Sequence, residues 1–302
     1  MTGIRPMAAG ELDAIAGLAW SALTLDSAEA SALVARLAAP PPERDWAALV
    51  TPDLDGVVFV STSATEGIGH LDLFAVHPAV RGRGLGKALV WAAEEWLRDR
   101  GVREARMAGN PPCYAWPGID VRYTPAVCLA ESLGYRRYRT AWNMTADLTS
   151  AAPPREPELA RLAEAGVELH AAPPGAFGER AEVAAFVREQ WNDAWAWEVE
   201  QATGCHYAVR DGEILGFAAW GSRPRWFGPM GTAESARGLG VGRVLLRRCL
   251  AEQAAYGLKQ AQIGWVGPIR FYAKAIGAPV ERVFWLFRRS LDGPDLPENE
   301  EP

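Results

Sequence analysis

The stretch Val76-His77-Pro78-Ala79-Val80-Arg81-Gly82-Arg83-Gly84-Leu85-Gly86-Lys87-Ala88-Leu89 decides how the chain is read. The segment before it, Leu71-Asp72-Leu73-Phe74-Ala75-Val76, reads as a buried strand. The segment after it, Ala88 to Leu97, places apolar residues at helical spacing. A glycine-rich turn therefore joins a strand to a helix N-terminus. Gly82, Gly84 and Gly86 let the main chain approach a ligand closely and leave N–H groups pointing at it. The helix dipole adds partial positive charge, and Arg81, Arg83 and Lys87 add full charges. That is the chemistry of a pyrophosphate cradle.

The pattern returns as Thr232-Ala233-Glu234-Ser235-Ala236-Arg237-Gly238-Leu239-Gly240-Val241-Gly242-Arg243. Arg237 follows Arg81 by 156 residues, about half of the 302-residue chain. A dinucleotide fingerprint would need G-x-G-x-x-G and an acid about 20 residues on, and a triphosphatase loop would need G-K-[ST]. Neither fits R-G-x-G-x-G.

This doubled pattern resembles motif A of the GNAT superfamily of acetyltransferases, Q/R-x-x-G-x-G/A, and the resemblance covers nearly the whole chain. It implies an α/β (α+β) protein of two tandem GNAT-like domains, each a mixed, mostly antiparallel sheet flanked by helices. It implies acetyl-coenzyme A as co-substrate, no metal, and transfer of an acetyl group to an amine of a small molecule. A silent coenzyme-binding sensor and a protein-lysine acetyltransferase are the alternatives. The coenzyme would touch Phe74, Ala75, Val76, Arg81, Gly82, Arg83, Gly84, Leu85, Gly86, Lys87 and Asn110 in the first half. In the second half it would touch Met230, Arg237, Gly238, Leu239, Gly240, Val241, Gly242 and Arg243.

The halves diverge in their chemistry. Phe271-Tyr272-Ala273-Lys274-Ala275-Ile276-Gly277 resembles the family's F-Y-x-K-x-G-F, whose tyrosine protonates the departing thiolate, so Tyr272 is the acid candidate. The first half has Leu129 at that place, with Tyr123 or Tyr114 as substitutes. His70 and Asp72, on the strand feeding the first loop, are base candidates. Their counterparts are Trp226 and Gly228, which carry no acid; Glu198 and Glu200 are weaker choices there. Each has a plainer reading: a hydrogen-bonded strand histidine or aspartate, a tyrosine ring in the core. Trp191, Trp195 and Trp197 at helical spacing read as packing rather than a ligand cage. The first loop looks better for cofactor grip, and the second half, through Tyr272, for chemistry.

The first domain is expected over 1–150, a linker over 151–166, the second domain over 167–290 and a disordered acidic tail over 291–302. The Ala- and Pro-rich segment Thr149 to Glu158 marks the boundary. The proline- and aromatic-rich stretch from Pro111 to Tyr123 is long for a connection. It reads as a substrate-side or interdomain loop, or as a rigid connector packed on the core. Asp211-Gly212 marks a hairpin.

A hydrophobic share of 49% supports packed cores, and no run approaches the ~18 apolar residues of a membrane span. No secretory leader is evident, and Cys113, Cys128, Cys205 and Cys249 lack metal-ligand spacing, so a reducing cytoplasm is expected. The net charge of −6 argues against nucleic acid as a partner. A monomer or homodimer is expected.

Overall fold

The computed structural model describes residues 3–150, 152–173 and 175–293. The chain begins with β1 (Arg5–Pro6), α1 (Leu12–Ala22) and α2 (Ala30–Leu37), followed by β2 (Trp46–Val50), β3 (Gly56–Thr62) and β4 (Ile68–Val76). Next come α3 (Leu85–Arg98), β5 (Glu104–Met107), β6 (Ile119–Asp120), α4 (Thr124–Ser132) and β7 (Arg136–Asp147). The order then repeats through α5 (Glu156–Glu164), β8 (Glu168–Ala172), α6 (Phe177–Gln190), α7 (Asp193–Glu200), β9 (Gly204–Arg210), β10 (Glu213–Trp220) and β11 (Trp226–Thr232). It closes with α8 (Val241–Ala255), β12 (Gln260–Ile263), α9 (Ile269–Ile276) and β13 (Val280–Ser290).

The chain divides into two compact units, one of residues up to Ala141 together with those from Val283 onward, the other Trp142–Arg282. The first unit's sheet runs β1-β2-β3-β4-β5-β13, with β6 also on β13; the second runs β7-β12-β11-β10-β9-β8. Among the described residues, only β4–β5 and β11–β12 pair in parallel within these sheets. The architecture is thus mixed and mostly antiparallel, as the resemblance implies. The first unit is built from two separate stretches of the chain, unlike the expected 1–150, while the second is the single stretch Trp142–Arg282, unlike the expected 167–290. Strand β13 pairs with β5 from Phe287↔Met107 to Ser290↔Glu104 and completes the first sheet. Strand β7 pairs with β12 in the second. The expected tail also starts too early: Leu291 is buried and its N–H donates to the Arg103 carbonyl. The tail from 294 lies outside the described residues.

Local sequence explains the elements that build the site. Helix α3 buries Leu89, Val90, Ala93 and Leu97 on one face, and Gly101 at φ +71° follows its end. In β3, the run Val57-Val58-Phe59-Val60 is buried on both faces, so it reads as a continuous apolar segment. Asp211 and Gly212 both take positive φ, 53° and 83°, and turn β9 into β10 as the sequence predicts. Among the described residues, no helix is long and apolar enough to cross a membrane.

Candidate active site

Strand β4 pairs with β5 only at Ile68, Gly69 and His70. Past that point β4 continues without a ladder partner on that side, and a cavity of about 370 Å³ is lined by both strands. Its walls include Leu71 to Val76 from β4, Met107 after the splay, Ala22 and Leu23 from the end of α1, and Leu129 from α4. At one end stands the first glycine loop: Arg81, Gly82, Gly84, Leu85, Gly86 and Lys87 all line the cavity.

The loop is built to present bare amides. Gly82 and Gly84 hold φ of +77° and +82°, a region that costs other residues strain. An added Cβ at either would meet nothing within 4 Å. The N–H groups of Leu85, Gly86 and Lys87 begin α3 and have no acceptor among the described residues. Arg81 braces the turn: its Nε donates to the Val76 carbonyl at 3.1 Å and its Nη2 to the Ala22 carbonyl at 3.0 Å. Arg83, expected at the coenzyme, is exposed and does not line the cavity.

Further along β4 lies Asp72. Phe59 faces Leu73 and Val60 faces Leu71, so Asp72 is the extra residue of a β-bulge. It opens onto the cavity, while its Oδ1 is buried with no hydrogen-bond partner. Its Oδ2 accepts from Ser61 Oγ at 2.6 Å. Burial pushes the carboxyl up from 3.8 to about 7, against the opposing pull of the Ser61 hydrogen bond and the Arg44 charge. A carboxyl poised near neutrality can take a proton from an incoming group.

His70 does something else. It is buried, is not part of the cavity wall, and its Nδ1 lies 2.9 Å from the Ala108 carbonyl. Burial holds it down at about 4, so it is neutral and donates from Nδ1, clipping β4 to the chain after β5 at the splay point. Asn110 is buried as well, behind β4 rather than on the cavity: its Nδ2 donates to Ser61 Oγ at 2.8 Å and to the Thr62 carbonyl at 3.0 Å.

The proline-rich stretch is both anchored and on the cavity. Arg44 donates to the carbonyls of Asn110 and Cys113, and Arg36 to that of Pro112. Trp116, stacked on Phe284 with centroids 6.0 Å apart, lines the cavity with Ile119, Asp120 and Tyr123. The Tyr123 hydroxyl donates to Asp26 at 2.8 Å and accepts from the Leu25 N–H.

The second loop differs. Gly238 and Gly240 keep the left-handed turn, at φ +86° and +96°. Arg161 from α5 lies over it, its Nη2 2.5 Å from where a Cβ on Gly240 would stand. Glu158 on the same helix pairs with Arg243 at 3.7 Å and Arg247 at 2.8 Å. Val241 is buried, Leu239 and Met230 pack on the core, and exposed Arg237 pairs with Glu234. The indole of Trp191 presses on Gly231 of β11, 2.5 Å from an ideal Cβ, and stacks on Trp195. Tyr272 is buried in the core with rings of Phe227 and Phe271 against it, and burial raises its hydroxyl well above the ordinary value. Of the weaker choices, Glu200 pairs with Arg188.

The acetyltransferase (GNAT) family profile matches residues 14–115 and 168–278. The chain belongs to the GNAT family. A mycothiol acetyltransferase from Salinispora tropica is 39% identical over 115 residues, which are 38% of this chain and 30% of that protein. One from Frankia alni is 31% identical over 212 residues, covering 61% of this chain and 58% of its own length. The chain thus spans between about a third and three-fifths of these relatives. A tandem GNAT protein from the clavulanic acid biosynthesis pathway shares the fold, with a TM-score of 0.70 at 18% identity over 97% of this chain and 99% of that one.

Within this GNAT chain, the cavity gathers Phe74, Ala75, Val76, Arg81, Gly82, Gly84, Leu85, Gly86, Lys87 and Asp72 from the residues the sequence singles out. It does not gather His70, Arg83, Asn110 or Tyr272. Ala22, Leu23 and Met107 escape sequence reasoning because they reach the cavity only through tertiary packing, whereas Trp116 lies in the stretch read as a substrate-side or interdomain loop. The one available signal is that the stretch after Asn110 is long.

Proposed function

We propose that the chain is an N-acetyltransferase that takes acetyl-coenzyme A into its first unit and acetylates an amine of a small molecule. One observation carries this reading: a single cavity joins free helix-start amides to a bulged carboxyl poised near neutrality. The open glycine turn fits a diphosphate, and the apolar walls fit an extended pantetheine arm. When bound, the coenzyme supplies an activated acyl thioester. The α3 amides and Lys87 hold the diphosphate, with Arg81 keeping the turn rigid. Main-chain N–H groups on the edge of β4 past its pairing with β5 would be the donors for the charge that builds on the acyl oxygen. Asp72 takes the proton of the attacking amine. Tyr123 lines the cavity where Leu129 offers no proton, and it is the candidate donor for the thiolate once its hydroxyl turns from Asp26. The relatives named mycothiol acetyltransferase support a small-molecule acceptor.

Calorimetric titration with acetyl-coenzyme A, followed by thiol release across a panel of small amines, tests the reading. Saturable binding and release with at least one amine are expected; absence of binding overturns it. The Leu129 substitution favours a second reading, a coenzyme-holding module without turnover, and binding with no release for any amine would select it.

A further inference from the structure

Asp72 does not stand alone. Ser61 sits on β3 opposite the β4 splay, and Asn110 lies just past β5. Both are buried. Asn110 Nδ2 is 2.8 Å from Ser61 Oγ and 3.0 Å from the Thr62 carbonyl, and Ser61 Oγ is 2.6 Å from Asp72 Oδ2. The Thr62 carbonyl is a pure acceptor, so it fixes which end of the Asn110 amide faces β3. Both amide hydrogens are then committed, one of them to Ser61. A hydroxyl that accepts from an amide must send its own hydrogen elsewhere, and the partner in reach is Asp72.

We infer that Asn110 and Ser61 are positioning residues for Asp72, an oriented chain of donors that pins Oδ2 and so fixes the orientation of the carboxyl. The inference rests on the reading of Asp72 as base. It accounts for a buried asparagine that is not part of the main cavity wall, and for a buried serine at the end of the apolar run of β3. The charged and titratable groups around Asp72 are placed on both sides. Arg44 and Cys113 share a small hollow with Asp72 and Ser61. Arg81, Lys87, Asp120 and Tyr123 line the main cavity. Of these, the Arg44 charge favours the carboxylate, as the Ser61 hydrogen does.

The test compares Ser61→Ala, Ser61→Thr and Asn110→Asp with the wild type in two measurements. One is the pH profile of kcat/KM for the best amine. The other is the carboxyl ¹³C titration of Asp72, assigned by difference against Asp72→Asn, which needs no turnover. Ser61→Ala strips a hydrogen bond from the charged form, so both midpoints are expected to rise by about one pH unit, and Ser61→Thr to restore them. Asn110→Asp turns the chain around, because a carboxylate accepts the Ser61 hydrogen, and both midpoints are expected to rise again. Unchanged carboxyl midpoints in Ser61→Ala and Asn110→Asp overturn the inference, even if the rate falls evenly across pH. If the carboxyl midpoint moves while no amine reacts in any variant, the hydrogen-bonded chain stands and the acetyl-transfer reading fails.

Discussion

At the residue scale, β4 carries two buried ionisable groups with opposite displacements. His70 is held down at about 4 from 6.5, and Asp72 is pushed up to about 7 from 3.8, both chiefly by burial. The stability from a neutral buried His70 is complete above pH 6.5 and lost as pH falls toward 4. The stability from a protonated Asp72 is complete below 3.8 and lost as pH rises through 7. Between roughly pH 4 and 6.5 the unfolded chain binds the histidine proton and the folded chain the aspartate proton, so the two slopes cancel. Asp72→Asn removes one side. In denaturant titrations this variant is expected to lose about 3 kcal/mol between pH 6.5 and 4, at about 1.4 kcal/mol per pH unit, where the wild type stays nearly flat. Above pH 7 it is expected to be more stable than the wild type. Activity moves the other way: kcat/KM of the wild type rises with pH to a plateau above about 7, and Asp72→Asn loses about 10²-fold or more at the plateau.

At the scale of elements, the two glycine turns have the same backbone and different neighbours. A methyl on Gly84 would stand in open space at φ +82°, on the turn whose following amides open α3. A methyl on Gly240 would meet the Arg161 guanidinium. Gly84→Ala is therefore expected to weaken acetyl-coenzyme A binding at least tenfold by calorimetry and to cost about 1 kcal/mol of stability. Gly240→Ala is expected to cost stability and leave the affinity unchanged. Equal losses of affinity would show that both turns hold coenzyme. The turns themselves are legible in the sequence, because glycine spacing and helical periodicity are local signals. What covers them is not: Arg161 reaches Gly240 from a helix that reads only as a linker, and Trp191 reaches Gly231 from the end of α6. Asn110 is likewise visible as a polar residue after a strand, but its link to Asp72 depends on how β3, β4 and β5 pair. Periodicity within one segment carries no trace of that pairing.

At the scale of the whole molecule, a duplicated sequence suggests two independent blocks, and the strands contradict it. The second half of the chain ends in β13, which finishes the first unit's sheet. A sequence reading assigns each closing strand to the block it follows, since nothing in an alternating apolar segment states which sheet edge it will meet. The consequence is energetic. Phe284, Leu286 and Phe287 are almost fully buried, Phe287 in the core of the first unit, and Phe284 stacks on Trp116 of the cavity wall. Burial of three such side chains contributes about 6 kcal/mol, comparable to the 5–15 kcal/mol that holds a typical domain folded. Residues 1–150 alone are therefore expected to lack a cooperative melt and to show no thermal shift with acetyl-coenzyme A. Joining residues 1–141 by a flexible linker to residues 280–293 is expected to restore both. Cooperative melting of the 1–150 fragment at the same temperature as the linked form would show that β13 is dispensable to the first unit. Recovery in the linked form alone would place the whole coenzyme cavity in a domain made of both chain ends.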